Sequence, residues 1–226
     1  MPAQSILLAD EDASLLEVER FYLEREGFRI FSVKSGFDVL NSVQNIHPDL
    51  ILLAMKLPGL GGFEICSRLR SENNQVPVMA IFASEVEMIQ SINIPLDADD
   101  YLAKPFPPRE MVARVKAILH PQKPRSSHKE VSNAIGALKF DSRTGDFKIK
   151  DRVVQMRSLD HDLLLCLMNE AGKFVSPDHL MRATWGADDV RQTASVDAHV
   201  ARLQNLLSGC RLKIVIDSQA GYKLES

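Results

Sequence analysis

Three short stretches hold the residue types that could do chemistry: Asp10-Glu11-Asp12, Leu50 to Gly59, and Ala103-Lys104-Pro105-Phe106. The first brings carboxylates, the last an ammonium, and the middle one neither at its decisive place. Leu50 to Leu53 is an apolar run closed by the turn signal Leu57-Pro58-Gly59. That pattern suits a strand buried on both faces of a parallel sheet. Sites in open α/β sheets lie outside the carboxyl ends of such strands. The residue at that end is Ala54, a methyl group. Singly these features are bland: an acidic strand end is a solvated loop or a favourable charge at a helix N-terminus.

The elements between them decide whether the three meet. Strand patterns at Ser5–Ala9, Phe28–Val33, 49–54, Val76–Phe82 and 99–103 alternate with helical patterns at about Ala13–Glu26, Gly36–Val43, Gly62–Leu69, 85–93 and Pro108–Leu119. In the first helix Leu15, Leu16, Val18, Phe21, Tyr22 and Leu23 supply the expected apolar face. Five strands interleaved with five helices imply an α/β, doubly wound parallel sheet over residues 1–120. Such a sheet brings the acidic run, Ala54 and Lys104 to one edge.

A Pro/Ser/Lys-rich stretch beginning at Pro121 reads as a linker, over 121–135. Beyond it, over 136–226, the pattern becomes α+β. Strand-like runs at Leu138–Phe140, Asp146–Lys150 and Val153–Met156 precede helices at Asp160–Ala171, Pro177–Trp185 and Thr193–Leu207. Short strands at Leu212–Ile216 and Gly221–Glu225 close the chain, and the set fits a winged helix-turn-helix.

With 226 residues, 45% hydrophobic and 25% charged, the chain can bury two ordinary cores. No apolar stretch approaches a membrane span, and MPAQSILLADED has no signal-peptide pattern, so a cytoplasmic protein is expected. Cys66, Cys166 and Cys210 are far apart and read as reduced structural thiols. The net charge of -3 is uneven: residues 1–120 carry 11 Lys/Arg against 17 Asp/Glu, and residues 131–226 carry 13 against 12. A compact DNA-binding module is usually more basic than that.

The ordered set is more specific than its parts. With PDLILLAMKLPGLGGFEIC (48–66) and ADDYLAKPF (98–106), the first half resembles a response-regulator receiver domain of two-component systems. GALKFD (136–141), LMRATWG (180–186), TASVDAHVARL (193–203) and AGYKLE (220–225) extend the resemblance to the OmpR/PhoB subfamily over nearly the whole chain.

The resemblance implies a phosphoacceptor Asp at the third strand's end, Mg²⁺ held by an acidic pair, and a lysine that binds a phosphoryl oxygen. Asp10 and Glu11 match the pair and Lys104 the lysine, while the acceptor position falls on Ala54. A methyl group has no nucleophilic oxygen, so this resembles a pseudo-receiver with no metal and no cofactor. The Thr/Ser position at the end of the fourth strand falls on Phe82, a second loss that argues for natural degeneration of the site. The switch aromatic is kept as Tyr101.

The subfamily pairs through its fourth helix, fifth strand and fifth helix, which implies a homodimer through the receiver. Asp100, Glu110, Arg114 and Lys116 match its inter-subunit charges, whereas Gln90 and Pro95 replace two others; Ile89, Ile92 and Met111 could supply apolar contacts instead. In the second half the resemblance implies contact with double-stranded promoter DNA. Arg202 matches the base-reading arginine, with Arg191, Thr193, Ser195, His199, Lys213, Tyr222 and Lys223 as further contacts. Other basic positions fall on Ala194, Ala201, Gln204, Asn205, Leu206 and, in the wing, Ser218. The expected function is a phosphorylation-independent transcriptional regulator, not an enzyme, with RNA polymerase or another regulator as a further partner and no membrane. The alternative is a protein-interaction adaptor that has lost most DNA affinity.

Overall fold

The computed structural model describes residues 3–91, 96–120, 134–141, 144–150, 152–186, 194–208 and 210–226. The chain divides into two compact units, Met1–Leu119 and His120–Ser226.

In the first unit β1 (Ser5–Ala9), β2 (Arg29–Val33), β3 (Leu50–Ala54), β4 (Val78–Phe82) and β5 (Asp100–Ala103) alternate with α1 (Ala13–Arg25), α2 (Gly36–Ile46), α3 (Gly62–Ser71), α4 (Glu85–Ser91) and α5 (Pro108–Leu119). The strands form one parallel sheet in the order β2-β1-β3-β4-β5. β1, β3 and β4 are apolar and buried almost throughout because both sheet faces are covered. Each such Leu, Ile or Val side chain contributes about 1.5–3 kcal/mol.

Register makes the site edge. Ala9 lies opposite both Val33 and Leu53, Ala54 opposite Ile81, and Phe82 opposite Ala103. The carboxyl ends of four strands are therefore level, and Asp10, Ala54, Phe82 and Lys104 leave the sheet along one line.

The apolar face expected for α1 is corrected. Its buried residues are Leu16, Glu19 and Leu23, while Val18 and Phe21 are exposed. The inward stripe keeps the i, i+3, i+7 spacing of a packed helix, with a carboxylic acid at its centre.

The second unit opens with a four-stranded antiparallel sheet in the order β6 (Ala134–Ile135), β7 (Leu138–Asp141), β8 (Asp146–Ile149), β9 (Arg152–Val153). Ala134 and Ile135, expected in the linker, pair with β7; residues 121–133 lie outside the described residues. Helices α6 (Ser158–Asn169), α7 (Pro177–Trp185) and α8 (Ala194–Leu207) follow, then the hairpin β10 (Lys213–Asp217) and β11 (Gly221–Glu225). Ser176 caps α7 with Pro177 in its first turn, and left-handed Gly186 ends it. Gly221 has φ 100° and its backbone lies so close to Val175 that a Cβ would sit 2.2 Å from the Val175 oxygen, so this strand start admits only glycine.

Candidate functional site

The acidic run divides by environment. Asp10 is 2% exposed, Glu11 and Asp12 are open to solvent. Asp12 is the N-cap of α1, its Oδ1 accepting the amides of Ser14 at 2.9 Å and Leu15 at 3.2 Å. Asp10 accepts the Asp12 amide on Oδ1 at 3.0 Å, and its Oδ2 lies 2.5 Å from Lys104 Nζ. The buried carboxylate is thus held by an ammonium arriving from the far end of β5.

The rest of the edge is apolar. Ala54 is 4% exposed and Phe82, at 1%, packs edge-on against Phe63 with ring centroids 6.5 Å apart. The Lys104 amide donates to the Phe82 oxygen at 2.9 Å, fixing one strand end beside the other. Lys56 and Glu87 form an exposed ion pair at 3.3 Å, and Glu87 also accepts the Ala83 amide at 3.0 Å. Tyr101 is buried and donates its hydroxyl to the Leu96 oxygen at 3.2 Å.

Glu19 was not foreseen. Its side chain is 2% exposed and Oε1 has no hydrogen-bond partner. Burial pushes its acid up to about 8; nearby Asp10 and Asp12 add to the rise, and Lys104 opposes it.

Of the charges expected on a dimer face, Lys116 is exposed and the other three are not. Asp100, Glu110 and Arg114 are all fully buried. Arg114 Nη1 donates to Asp100 at 3.0 and 3.1 Å, and its Nε and Nη2 reach Glu110 Oε1 at 3.2 and 2.9 Å. Lys116 pairs with Glu26, the C-cap residue of α1, at 2.6 Å. Asp100, Glu110 and Arg114 thus meet one another, and Lys116 meets Glu26, within one chain. Met111 is core as well, Ile89 is 52% exposed, and Ile92 and Pro95 lie outside the described residues.

In the second unit Asp160, 2% exposed at the start of α6, is the centre of a polar lock. His199 Nδ1 lies 2.8 Å from its Oδ1, Arg202 Nη2 donates to the same oxygen at 3.0 Å, and Arg202 Nε is 2.7 Å from Oδ2. Burial alone would raise the Asp160 carboxyl, but His199 and Arg202 outweigh it and hold it below the usual carboxylate range. His199 also meets Trp185 edge-on at 5.6 Å.

Two family models match: "Response regulator receiver domain" over residues 6–116 and "Transcriptional regulatory protein, C terminal" over 151–224. The chain belongs to the OmpR/PhoB-type response regulators. It is 31% identical over 232 residues to the alkaline phosphatase synthesis transcriptional regulatory protein PhoP of Bacillus subtilis (strain 168), covering 98% of this chain and 97% of PhoP. It is 33% identical over 228 residues to the phosphate regulon transcriptional regulatory protein PhoB of Rhizobium meliloti (strain 1021), covering 98% of each. A solved structure of a RitR mutant shares the fold, with a TM-score of 0.61 at 22% identity over 99% of this chain and 100% of that one. The relatives named are transcriptional regulators, and the C-terminal family match makes the second unit a DNA-binding winged helix. Among the described residues no helix is long and apolar enough to cross a membrane.

The Mg²⁺ site that this regulator family implies does not fit the residues present. Ala54 offers no ligand atom, both Asp10 oxygens have protein partners, and Asp12 caps a helix. Glu11 remains as an exposed carboxylate, and a hard cation needs several oxygens in near-octahedral array.

The residues expected to contact DNA sit in different surroundings. Ser195 and His199 are fully buried, Tyr222 is 4% exposed, and Tyr222 donates its hydroxyl to Asp197 at 2.7 Å, tying the hairpin to α8. Lys223 pairs with Glu225 at 2.7 Å and lies over the Phe174 ring; Lys213 pairs with Glu225 at 3.1 Å. Arg202, with 23% of its side chain exposed, joins the Asp160 lock. Arg191 and Thr193 lie outside the described residues. The open positions of α8 are Gln204 and Asn205, both uncharged, and the wing turn holds Asp217, which accepts the amides of Gln219 at 2.9 Å and Ala220 at 2.8 Å. The signal for the lock was readable: an acid at the start of one helix and a His/Arg pair three residues apart on another.

Proposed function

We propose that this regulator works without phosphorylation, as a cytoplasmic DNA-binding transcription factor whose activity is set by abundance or by a partner. One observation carries the reading: the strand end where the family's acceptor belongs is a buried methyl group, Ala54, and Phe82 fills the neighbouring strand end. No oxygen there can take a phosphoryl group. A homodimer through α4, β5 and α5 has to use exposed apolar residues such as Val86 and Ile89, because Asp100, Glu110 and Arg114 are buried in their own ion pairs.

A second reading, an adaptor that binds another regulator or RNA polymerase, is favoured by the uncharged open residues of α8 and the carboxylate at the wing turn. Selection of duplexes from random DNA by the full chain, with and without acetyl phosphate, tests both. The first reading predicts a selected sequence whose affinity acetyl phosphate does not change. A change in affinity contradicts it, and selection of no sequence favours the adaptor.

A further inference from the structure

We propose that Lys104 is the built-in cation of the receiver site: its ammonium holds Asp10 where a divalent ion would bind, and closes the site to Mg²⁺. The inference deepens, and rests on, the reading of this edge as a site without an acceptor.

Three observations carry it. Asp10 is 2% exposed, and the 2.5 Å contact from Lys104 Nζ joins two groups on different strand ends. A charge-assisted bond to a desolvated carboxylate is among the strong polar contacts, and an entering ion would have to break it. The second Asp10 oxygen accepts the Asp12 amide at 3.0 Å, so rotation of the carboxylate to free a lone pair costs a backbone hydrogen bond.

The neighbouring acids do not make up the deficit. Glu11 is exposed, and Asp12 is committed to two amides at the start of α1. The Lys104 ammonium offsets the Asp10 carboxylate at 2.5 Å, so that pair presents no net charge to an entering ion. Mg²⁺ dehydrates reluctantly and gains little from such a pair with one exposed carboxylate.

The test uses the full chain, with Mn²⁺ binding followed by water-proton relaxation and thermal unfolding followed with and without MgCl₂. The wild type is expected to bind no Mn²⁺ at about millimolar concentration and to show no Mg²⁺-dependent rise in Tm. Lys104→Met frees Asp10 and should bind Mn²⁺ about tenfold tighter or more; adding Asp10→Asn should abolish that gain. Asp10-dependent Mn²⁺ binding by the wild type overturns the proposal, as does a folded Lys104→Met that binds no more than wild type. If Lys104→Met fails to fold, Lys104→Gln takes its place with the same expected and overturning results. Phosphorylation of the wild type would refute the functional reading instead, and is read by a different measurement.

Discussion

Arg202 and Asp160 form an ion pair, Nε to Oδ2 at 2.7 Å, that joins the middle of α8 to the start of α6. His199, one helical turn before Arg202, completes the lock on the other oxygen. A residue expected to read a base thus holds the winged helix together.

Arg202→Ala should therefore act first on stability. Removing Arg202 leaves the buried Asp160 carboxylate to His199 alone, and breaking such a pair costs about 3 kcal/mol. Hydrogen exchange on the full chain should show α6 and α8 amides deprotected and the receiver amides unchanged. Native-like protection combined with loss of base discrimination alone would return Arg202 to the groove.

Glu19→Gln should stabilise the receiver, most at alkaline pH. Its folded value of about 8 lies above the ordinary value of 4.5, so between them the native state binds more protons than the unfolded chain. Stability must fall as pH rises through that window, by up to about 1.4 kcal/mol per pH unit, and level off above it. Glu19→Gln removes that slope. Unfolding midpoints of both proteins at pH 5, 7 and 9 check it: parallel curves would mean that Glu19 ionises normally.

The receiver's five strands and five helices were legible because buried parallel strands read as short apolar runs, and their register then brings Asp10, Ala54 and Lys104 together. Ala54 and Phe82 were legible as departures because the surrounding motif fixes their places. What periodicity cannot show is which charge a charge meets. Lys104 faces Asp10 from a strand end 94 residues away, and Arg114 of α5 faces Asp100 of β5 as well as Glu110 one turn back in its own helix. Glu19 escaped notice because a lone Glu on an amphipathic helix reads as solvated, while Val18 and Phe21 look like its apolar face. The two-residue strand β6 was too short to leave a pattern.

Ala54→Asp alone should not create a phosphorylation-dependent switch. Phe82 has no hydroxyl to turn toward a phosphoryl group and fills the strand end in contact with Phe63. Ala54→Asp with Phe82→Thr should do better in phosphorylation-dependent association, at a folding cost of about 3 kcal/mol for the lost ring. Analytical ultracentrifugation with acetyl phosphate separates the two, and full dimerisation of the single variant would refute the part given to Phe82.

Duplex binding should depend weakly on salt. Each phosphate neutralised by a cation adds about 0.9 to the slope of log K against log salt, and Gln204, Asn205 and Asp217 add none. A slope of roughly 2–4 is expected from a titration of the full chain. A slope near 10, as for strongly basic repressors, would mean that cations outside the described residues dominate the interface.

The central claim is that no phosphoryl group enters the receiver. Intact-mass spectrometry of the full chain after incubation with acetyl phosphate and Mg²⁺ tests it most directly. The account predicts the unmodified mass, with the Ala54→Asp, Phe82→Thr variant as the labelled control. A phosphoryl adduct on the wild type, mapped by peptide fragmentation to Asp10, Glu11 or Asp12, would contradict it.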